Sequence, residues 1–121
     1  MNSVWKYDII YVLDFYAKGY LLMIITKTTS ENSLLLKLAG RLDTVTAPEL
    51  GTEIDAIPET IKELCLDFAD LDYVSSAGLR VILTAQTKMN KQGNMIICHA
   101  CEEVQEIFDI TGFADILTIE P

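Results

Sequence analysis

Cys98-His99-Ala100-Cys101 puts two thiols and the only imidazole of the chain within four residues. That is the spacing of a redox pair or of half a zinc site. Zinc asks for four ligands, yet the only other cysteine is Cys65 and there is no second histidine. A thioredoxin-type pair opens a helix near the front of its fold, whereas Cys98 closes a late apolar run. Cys98 is therefore expected as a buried strand residue and Cys101 as a loop residue, with no metal. The single histidine has no serine and aspartate at a spacing that supports a hydrolytic triad. Neither Gly-x-Gly-x-x-Gly nor Gly-x-x-x-x-Gly-Lys occurs, so no glycine loop cradles a phosphate. No catalytic residue and no cofactor are expected.

The segment that asks for an explanation is Leu71-Asp72-Tyr73-Val74-Ser75-Ser76-Ala77-Gly78-Leu79-Arg80. Two adjacent hydroxyls stand where a strand pattern hands over to a helical one. Serine is a preferred N-cap, so one of them can simply satisfy free helix amides. The same place suits modification. A phosphate there would meet the positive helix end and loose N–H groups. It would be accepted without unfolding the domain, while adding about 1.5 to 2 negative charges.

The elements that must position these hydroxyls follow from the pattern. Met23–Thr28 is a β-rich run, and Ser30-Glu31-Asn32-Ser33 is turn chemistry. Leu34, Leu36 and Leu38 alternate as a second strand, close enough to form a hairpin with the first. Gly40 relaxes that strand before Arg41-Leu42-Asp43. Thr46-Ala47-Pro48-Glu49 has the form of a capping box with proline in the first turn. Ala47, Leu50, Ile54 and Ile57 then share one helical face, and Pro58 ends the helix. Leu64, Leu66 and Phe68 mark a third strand. Leu79, Ile82, Leu83, Gln86 and Met89 mark a second helix, and Met95–Cys98 a fourth strand. Val104, Ile107 and Phe108 mark a third helix, stopped by Gly112 as a C-cap. Ala114–Ile119 is read as a last strand. Strands alternating with helices from residue 34 onward imply parallel neighbours and right-handed crossovers. The expected architecture is an α/β domain: a mixed, largely parallel sheet of about five strands with three main helices.

The chain has 121 residues, half of them hydrophobic, which is material for one core. It carries 18 acidic and 9 basic residues, a net charge of −9. Such a surface repels phosphate backbones and anionic lipid, so no nucleic acid is expected as partner. A protein with a basic patch is the easier one. Three cysteines cannot all pair with each other, and they point to a reducing compartment. The start has no charged region followed by an uninterrupted apolar stretch, and no run is long enough to span a membrane. A cytoplasmic protein is expected.

Residues 1–22 differ from the rest. They hold Trp5, Tyr7, Tyr11, Phe15, Tyr16 and Tyr20, and Lys6 and Lys18 cancel Asp8 and Asp14. Apolar groups at Trp5, Ile9, Val12, Tyr16 and Tyr20 lie close to helical spacing. This predicts a helix through about 4–18 that buries Trp5, Ile9, Val12 and Tyr16. Its target would be the open face of the sheet or a second chain in a homodimer. Met23 offers another reading, in which 1–22 is an upstream extension. The domains are thus 1–22, an N-terminal aromatic extension, and 23–121, the α/β domain.

With these residues in view, the sequence resembles the STAS domains of bacterial anti-sigma factor antagonists (anti-anti-sigma factors). The resemblance is carried by Leu38-Ala39-Gly40-Arg41-Leu42-Asp43, by Asp70 through Leu83, and by Phe108-Asp109-Ile110-Thr111-Gly112-Phe113. It covers about 23–119, and the three motifs occur in the family's order. The resemblance implies a non-enzymatic switch. The unphosphorylated domain binds an anti-sigma factor that is also a serine kinase, and so frees the sigma factor. Phosphorylation weakens that binding, and a serine phosphatase restores it. The family form before the helix is often Asp-Ser-Ser-Gly, with the first serine as acceptor. Aligned on Gly78, the acceptor falls on Ser76, the aspartate on Ser75 and the second serine on Ala77. Ser75 stays open as an alternative acceptor. Asp43 matches a family aspartate in the loop near the acceptor. The implied partner surface is Asp43, Thr44, Ser75, Ser76, Ala77, Gly78 and Leu79. The rival reading is a STAS accessory subunit of a membrane transporter, binding its cytoplasmic ATPase.

Overall fold

The computed structural model describes the backbone of Ile10–Ala17 and of residues 20–121, with side chains from Met23 onward. The elements in chain order are β1 (Ile10–Ala17), β2 (Tyr20–Ser30), β3 (Ser33–Leu42), α1 (Ala47–Asp55), β4 (Glu63–Val74), α2 (Ser76–Gln92), β5 (Asn94–Cys98), α3 (Glu102–Thr111) and β6 (Ile119–Glu120). A short 3-10 turn, Phe113–Asp115, follows α3. The strands form one sheet in the order β1-β2-β3-β4-β5-β6. The β1–β2 and β2–β3 pairings are antiparallel, and the three that follow are parallel. From residue 23 onward this is the mixed five-strand, three-helix architecture that the sequence pattern implies.

A sheet whose strand order never reverses receives its crossover helices on one side. The burial pattern fits this. Leu34, Leu36 and Leu38 of β3, Leu64, Leu66 and Phe68 of β4, and Met95 and Ile97 of β5 are all buried. They form one core with Leu50 and Ile54 of α1, Ile82, Ala85 and Met89 of α2, and Val104 and Phe108 of α3. The alternate residues Leu35, Cys65, Asp67, Ile96 and Cys98 point to the second face and are only half-buried. The Phe68 and Phe108 rings, 6.5 Å apart between centroids, pin α3 against β4.

Three expectations are corrected. The helix expected through 4–18 is not what the backbone forms at Ile10–Ala17, which is strand β1. These residues add to the edge of β2, with Ala17 opposite Tyr20, instead of lying across a face. The segment is rich in aromatic and β-branched residues, and two residues, one a glycine, separate it from β2. That is hairpin spacing, and the ladder it allows wins over a helical face that was never clean. Residues 1–9, and with them Trp5, Ile9 and the expected dimer contact, lie outside the described residues. The last strand is also shorter than the expected Ala114–Ile119. Gly112 takes the left-handed φ of 84° as the C-cap of α3. The turn bonds Asp115 N–H to Gly112 O and Leu117 N–H to Phe113 O then hold the chain until Ile119. The capping box expected at Thr46 does not form either, since Thr46 makes no side-chain cap bond.

Gly93 joins α2 to β5 in extended backbone, and its Asn94 N–H donates to Lys62 O at 2.8 Å. A Cβ at 93 would run into the Lys62 carbonyl backbone, which cannot swing aside as a side chain would. Gly93→Ala should therefore destabilise the domain by about 3 kcal/mol, read as a lower urea midpoint at unchanged slope.

Candidate functional site

The parallel pairing of β3 and β4 brings two loops side by side. Leu42 and Val74 are register partners at the ends of these strands. Asp43 follows the first and Ser75 the second, and Ser75 N–H donates to Leu42 O at 2.9 Å. Gly40, at φ 108°, sits where the β3–β4 register shifts before Arg41. That bulge re-aims the end of β3 toward α2. Gly78 allows the close approach: a Cβ there would lie 2.8 Å from Leu42 Cγ and 2.9 Å from Leu42 O.

The two serines divide the work. Ser75 is the N-cap of α2, in extended backbone, and its Oγ accepts from Gly78 N–H at 3.2 Å. Ser76 is the first helical residue and is exposed. One hydroxyl is spent on the helix end, and the other is free to react or bind. Ala77 is half-buried, while Gly78 and Leu79 are buried and shape the site from beneath.

The loop after β3 is built around Asp43. Its Oδ1 accepts from Val45 N–H at 3.0 Å and from Thr46 N–H at 3.2 Å. Its backbone carbonyl accepts from Ala47 N–H at 2.8 Å. The expected capping box does not form. Thr46 is the N-cap of α1 but makes no side-chain cap bond. Its hydroxyl instead accepts from Asp43 N–H at 2.8 Å and donates to Arg41 O at 2.7 Å. Buried Thr46 thus closes the Arg41–Asp43 turn, and Asp43 supplies the acceptor that the helix start needs.

Around Ser76 this leaves a distinct surface. Thr44 and Val45 are exposed on the loop, and Tyr73 is partly exposed at the end of β4. The Arg41 guanidinium stacks 4.3 Å from the Tyr73 ring centroid, and its Nε lies 3.6 Å from Asp43 Oδ2. Sequence reasoning did not single out Val45, Tyr73 or Arg41 as surface. The signal was an apolar β-branched residue between two threonines in a loop. A polar cleft of about 770 Å³ lies elsewhere, between the later half of α2 and the connection before β4, lined by Asp55, Glu59, Lys88 and Lys91 among others.

A family model for the STAS domain matches residues 24–121. The chain belongs to the STAS domain family. An anti-sigma-B factor antagonist of Bacillus subtilis is 31% identical over 91 residues, covering 74% of this chain and 84% of the relative. BtrV of Bordetella bronchiseptica is 32% identical over 99 residues, covering 80% and 85%. The STAS fold here superposes on the anti-sigma factor antagonist SpoIIAA in its unphosphorylated form. The TM-score is 0.69 at 15% identity, covering 78% of this chain and 86% of that one. SpoIIAA of Bacillus in its phosphorylated form gives 0.64 at 14% identity, covering 78% and 89%. A sulfate transporter family protein of Wolinella succinogenes gives 0.68 at 17% identity, covering 78% and 80%.

The thiols sit apart from this STAS loop pair. Cys101 is the N-cap position of α3, its Sγ 3.6 Å from Leu71 O. Cys65 and Cys98 face each other on the second side of the sheet, 3.3 Å between sulfurs. Burial pushes the Cys65 thiol up to about 12, helped by its hydrogen bond to Cys98 and by the nearby Asp67 and Glu120 carboxylates. Burial raises Cys98 as well, against a lowering hydrogen bond from Cys65. Both shifts disfavour the thiolate, which argues against a redox nucleophile.

Because Ser75 carries the cap, Ser75→Ala should cost about 1 kcal/mol of stability. Ser76→Ala should stay within about 0.5 kcal/mol of the parent. Paired thermal melts of the two variants check this division, and a reversed order would reassign the cap.

Proposed function

We propose that this STAS domain is an anti-sigma factor antagonist whose partner binding is switched off by phosphorylation of Ser76. The observation that carries the reading is the separation of the two hydroxyls: Ser75 is held as a cap while Ser76 is exposed at the start of α2. The names of the relatives support it, as does the existence of SpoIIAA in a phosphorylated form. The unphosphorylated face, with Ser76, Thr44, Val45, Tyr73 and Ala77 around half-buried Asp43, would dock an anti-sigma factor that is also a serine kinase. A serine phosphatase would reverse the modification.

The switch needs no refolding. A phosphate on Ser76 sits at the positive end of α2, where the first amides have no intrahelical partner. Arg80, one turn along the same helix face, adds a cation within reach. The domain tolerates the dianion, and the interface does not. Burying a phosphate against a partner requires stripping its water, and any carboxylate opposite it repels it. On a chain of net charge −9, the unmodified face would suit a partner with a basic patch, through contacts tuned to a neutral hydroxyl. In this reading the domain acts by binding in the cytoplasm, is not a catalyst, and leaves the nucleotide to the kinase.

A second reading is a transporter-linked STAS domain that binds a cytoplasmic ATPase subunit; the Wolinella sulfate transporter family match supports the transporter link alone. Affinity capture from the native host separates them, since one partner is a serine kinase and the other a transport ATPase.

Ser76→Ala should abolish phosphorylation by the cognate kinase and leave partner binding constitutive. Ser76→Asp should weaken binding at least tenfold, since it carries part of the phosphate charge. Intact mass after incubation with kinase and ATP is the direct check; a phosphate still added to Ser76→Ala would move the acceptor to Ser75.

Asp43 allows a finer test, because its Oδ1 and its charge can be removed separately. Asp43→Asn keeps an acceptor for Val45 and Thr46 and should retain stability, whereas Asp43→Ala should lose about 1 kcal/mol. If the carboxylate contacts the partner, both variants should weaken binding. A stable Asp43→Asn with unchanged affinity would confine Asp43 to the turn.

A further inference from the structure

The second face of the sheet carries a cluster that the phosphorylation switch does not use. Asp67, Cys98 and His99 each offer a ligand atom, and these atoms lie within 4.8 Å of one another. Cys65 Sγ lies 3.3 Å from Cys98 Sγ, beside this set but outside its 4.8 Å span, so it reaches the ion by a turn of its side chain. We propose that Cys65, Asp67, Cys98 and His99 form a binding site for a thiophilic divalent cation, with zinc the ion best matched by two sulfurs, an imidazole and a carboxylate.

The sheet register assembles the set. Asp67 and Cys98 are direct partners across β4 and β5, and Cys65 is two residues back on the same face. His99 follows Cys98, so in a continuing strand its ring would point to the other side. It takes a left-handed φ of 62° instead. Its Nδ1 thereby comes 3.1 Å from Asp67 Oδ1, on the face of the thiols. A left-handed conformation is uncommon for a residue other than glycine, and here it turns the imidazole into the cluster.

The spacing suits an ion better than a disulfide. The two cysteines are diagonal neighbours and not register partners, since Cys65 pairs with Ile96 and Cys98 with Asp67, and their sulfurs stand well beyond the roughly 2.05 Å of a disulfide bond. Two thiolates on one tetrahedral zinc lie about 3.8 Å apart, since each bond is about 2.3 Å. The observed sulfurs need to part by only a few tenths of an ångström. Half-buried Asp67 and the exposed Glu120, register partners of Cys98 on either side, add negative charge that favours a cation. Exposed His99 gives the ion a way in. Binding transfers no electrons: two thiol protons leave to solvent as two metal–sulfur bonds form.

The test uses the reduced full chain, zinc chloride in a chelator competition, and cobalt chloride as a spectroscopic probe. We expect one zinc per chain and a cobalt spectrum with tetrahedral bands and a thiolate charge-transfer band. Cys98→Ser and Cys65→Ser should lose the charge-transfer intensity and bind zinc at least about 100-fold more weakly, more than the loss of an outer-shell partner costs. Asp67→Asn and His99→Ala, changed at the rim of the cluster, should weaken it about tenfold or more even if a cysteine variant fails to fold. Cys101→Ser should bind as the parent does. Zinc should also raise the melting temperature of the parent and not of Cys98→Ser. Zinc affinity unchanged in the cysteine and His99 variants, or a cobalt spectrum without the thiolate band, would overturn the site. So would quantitative formation of an intramolecular disulfide in place of ion binding.

Discussion

The end of β3 lies against the start of α2, and the site depends on that contact. Leu42 is fully buried, pairs with Val74, accepts from Ser75 N–H through its carbonyl, and leaves no room for a Cβ at Gly78. The helix is therefore set by a backbone hydrogen bond on one side and a steric stop on the other. Such a contact is rigid because the Leu42 carbonyl is backbone and the Leu42 side chain that completes the stop is fully buried in the close-packed core. The hydroxyl of Ser76 is presented at one place, and the Asp43 loop at a fixed place beside it. In the proposed switch, a recognition face that changes by one group would need this rigidity, since a partner would read a small chemical difference against a constant background.

The same contact explains why the two hydroxyls are unequal. Both follow a strand and both precede a helix, and by type they are interchangeable. Ser75, tied to Leu42 O and extended, is the one whose Oγ comes round to the Gly78 amide. Ser76 already has helical geometry and points its side chain outward. Across the loop, Thr46 and Asp43 exchange the roles that a capping box would give them. Thr46 is drawn to the Arg41 carbonyl at the bulge, so the Asp43 carboxylate takes the Val45 and Thr46 amides just before α1 and the Asp43 carbonyl takes the first helical amide, Ala47 N–H. Polar groups in both loops are thus satisfied locally, and the exposed remainder is Thr44, Val45, Tyr73 and Ser76.

The two faces of the sheet have different chemistry for a topological reason. All three crossovers follow strands in an order that never reverses, so the core collects on one side. The second face keeps half-buried Leu35, Cys65, Ile96 and Cys98, with Asp67 and His99 at its rim. That is where thiols, an imidazole and a carboxylate meet without disturbing packing. The Ser75–Ser76 junction and the thiol cluster share β4, through Val74 at its end and Cys65 and Asp67 near its start, and belong to separate environments.

Much of this was legible in the sequence, because short-range physics writes it there. Alternation at Leu34–Leu38 and Leu64–Phe68, helical spacing at Leu79–Met89, and the C-cap at Gly112 are local patterns with one reading each. The serine pair at a strand-to-helix junction is equally local. Residues 10–17 were not legible, since aromatics at helical spacing also suit a strand, and only the β2 ladder decides between them. The Thr46 capping box failed for the same reason: its hydroxyl had a better acceptor at Arg41, which the bulge at Gly40 brings near. Which serine caps, and which aspartate joins Cys98 and His99, depends on register between segments some thirty residues apart. Periodicity predicts which residues share a face, but pairing alone decides which of them touch.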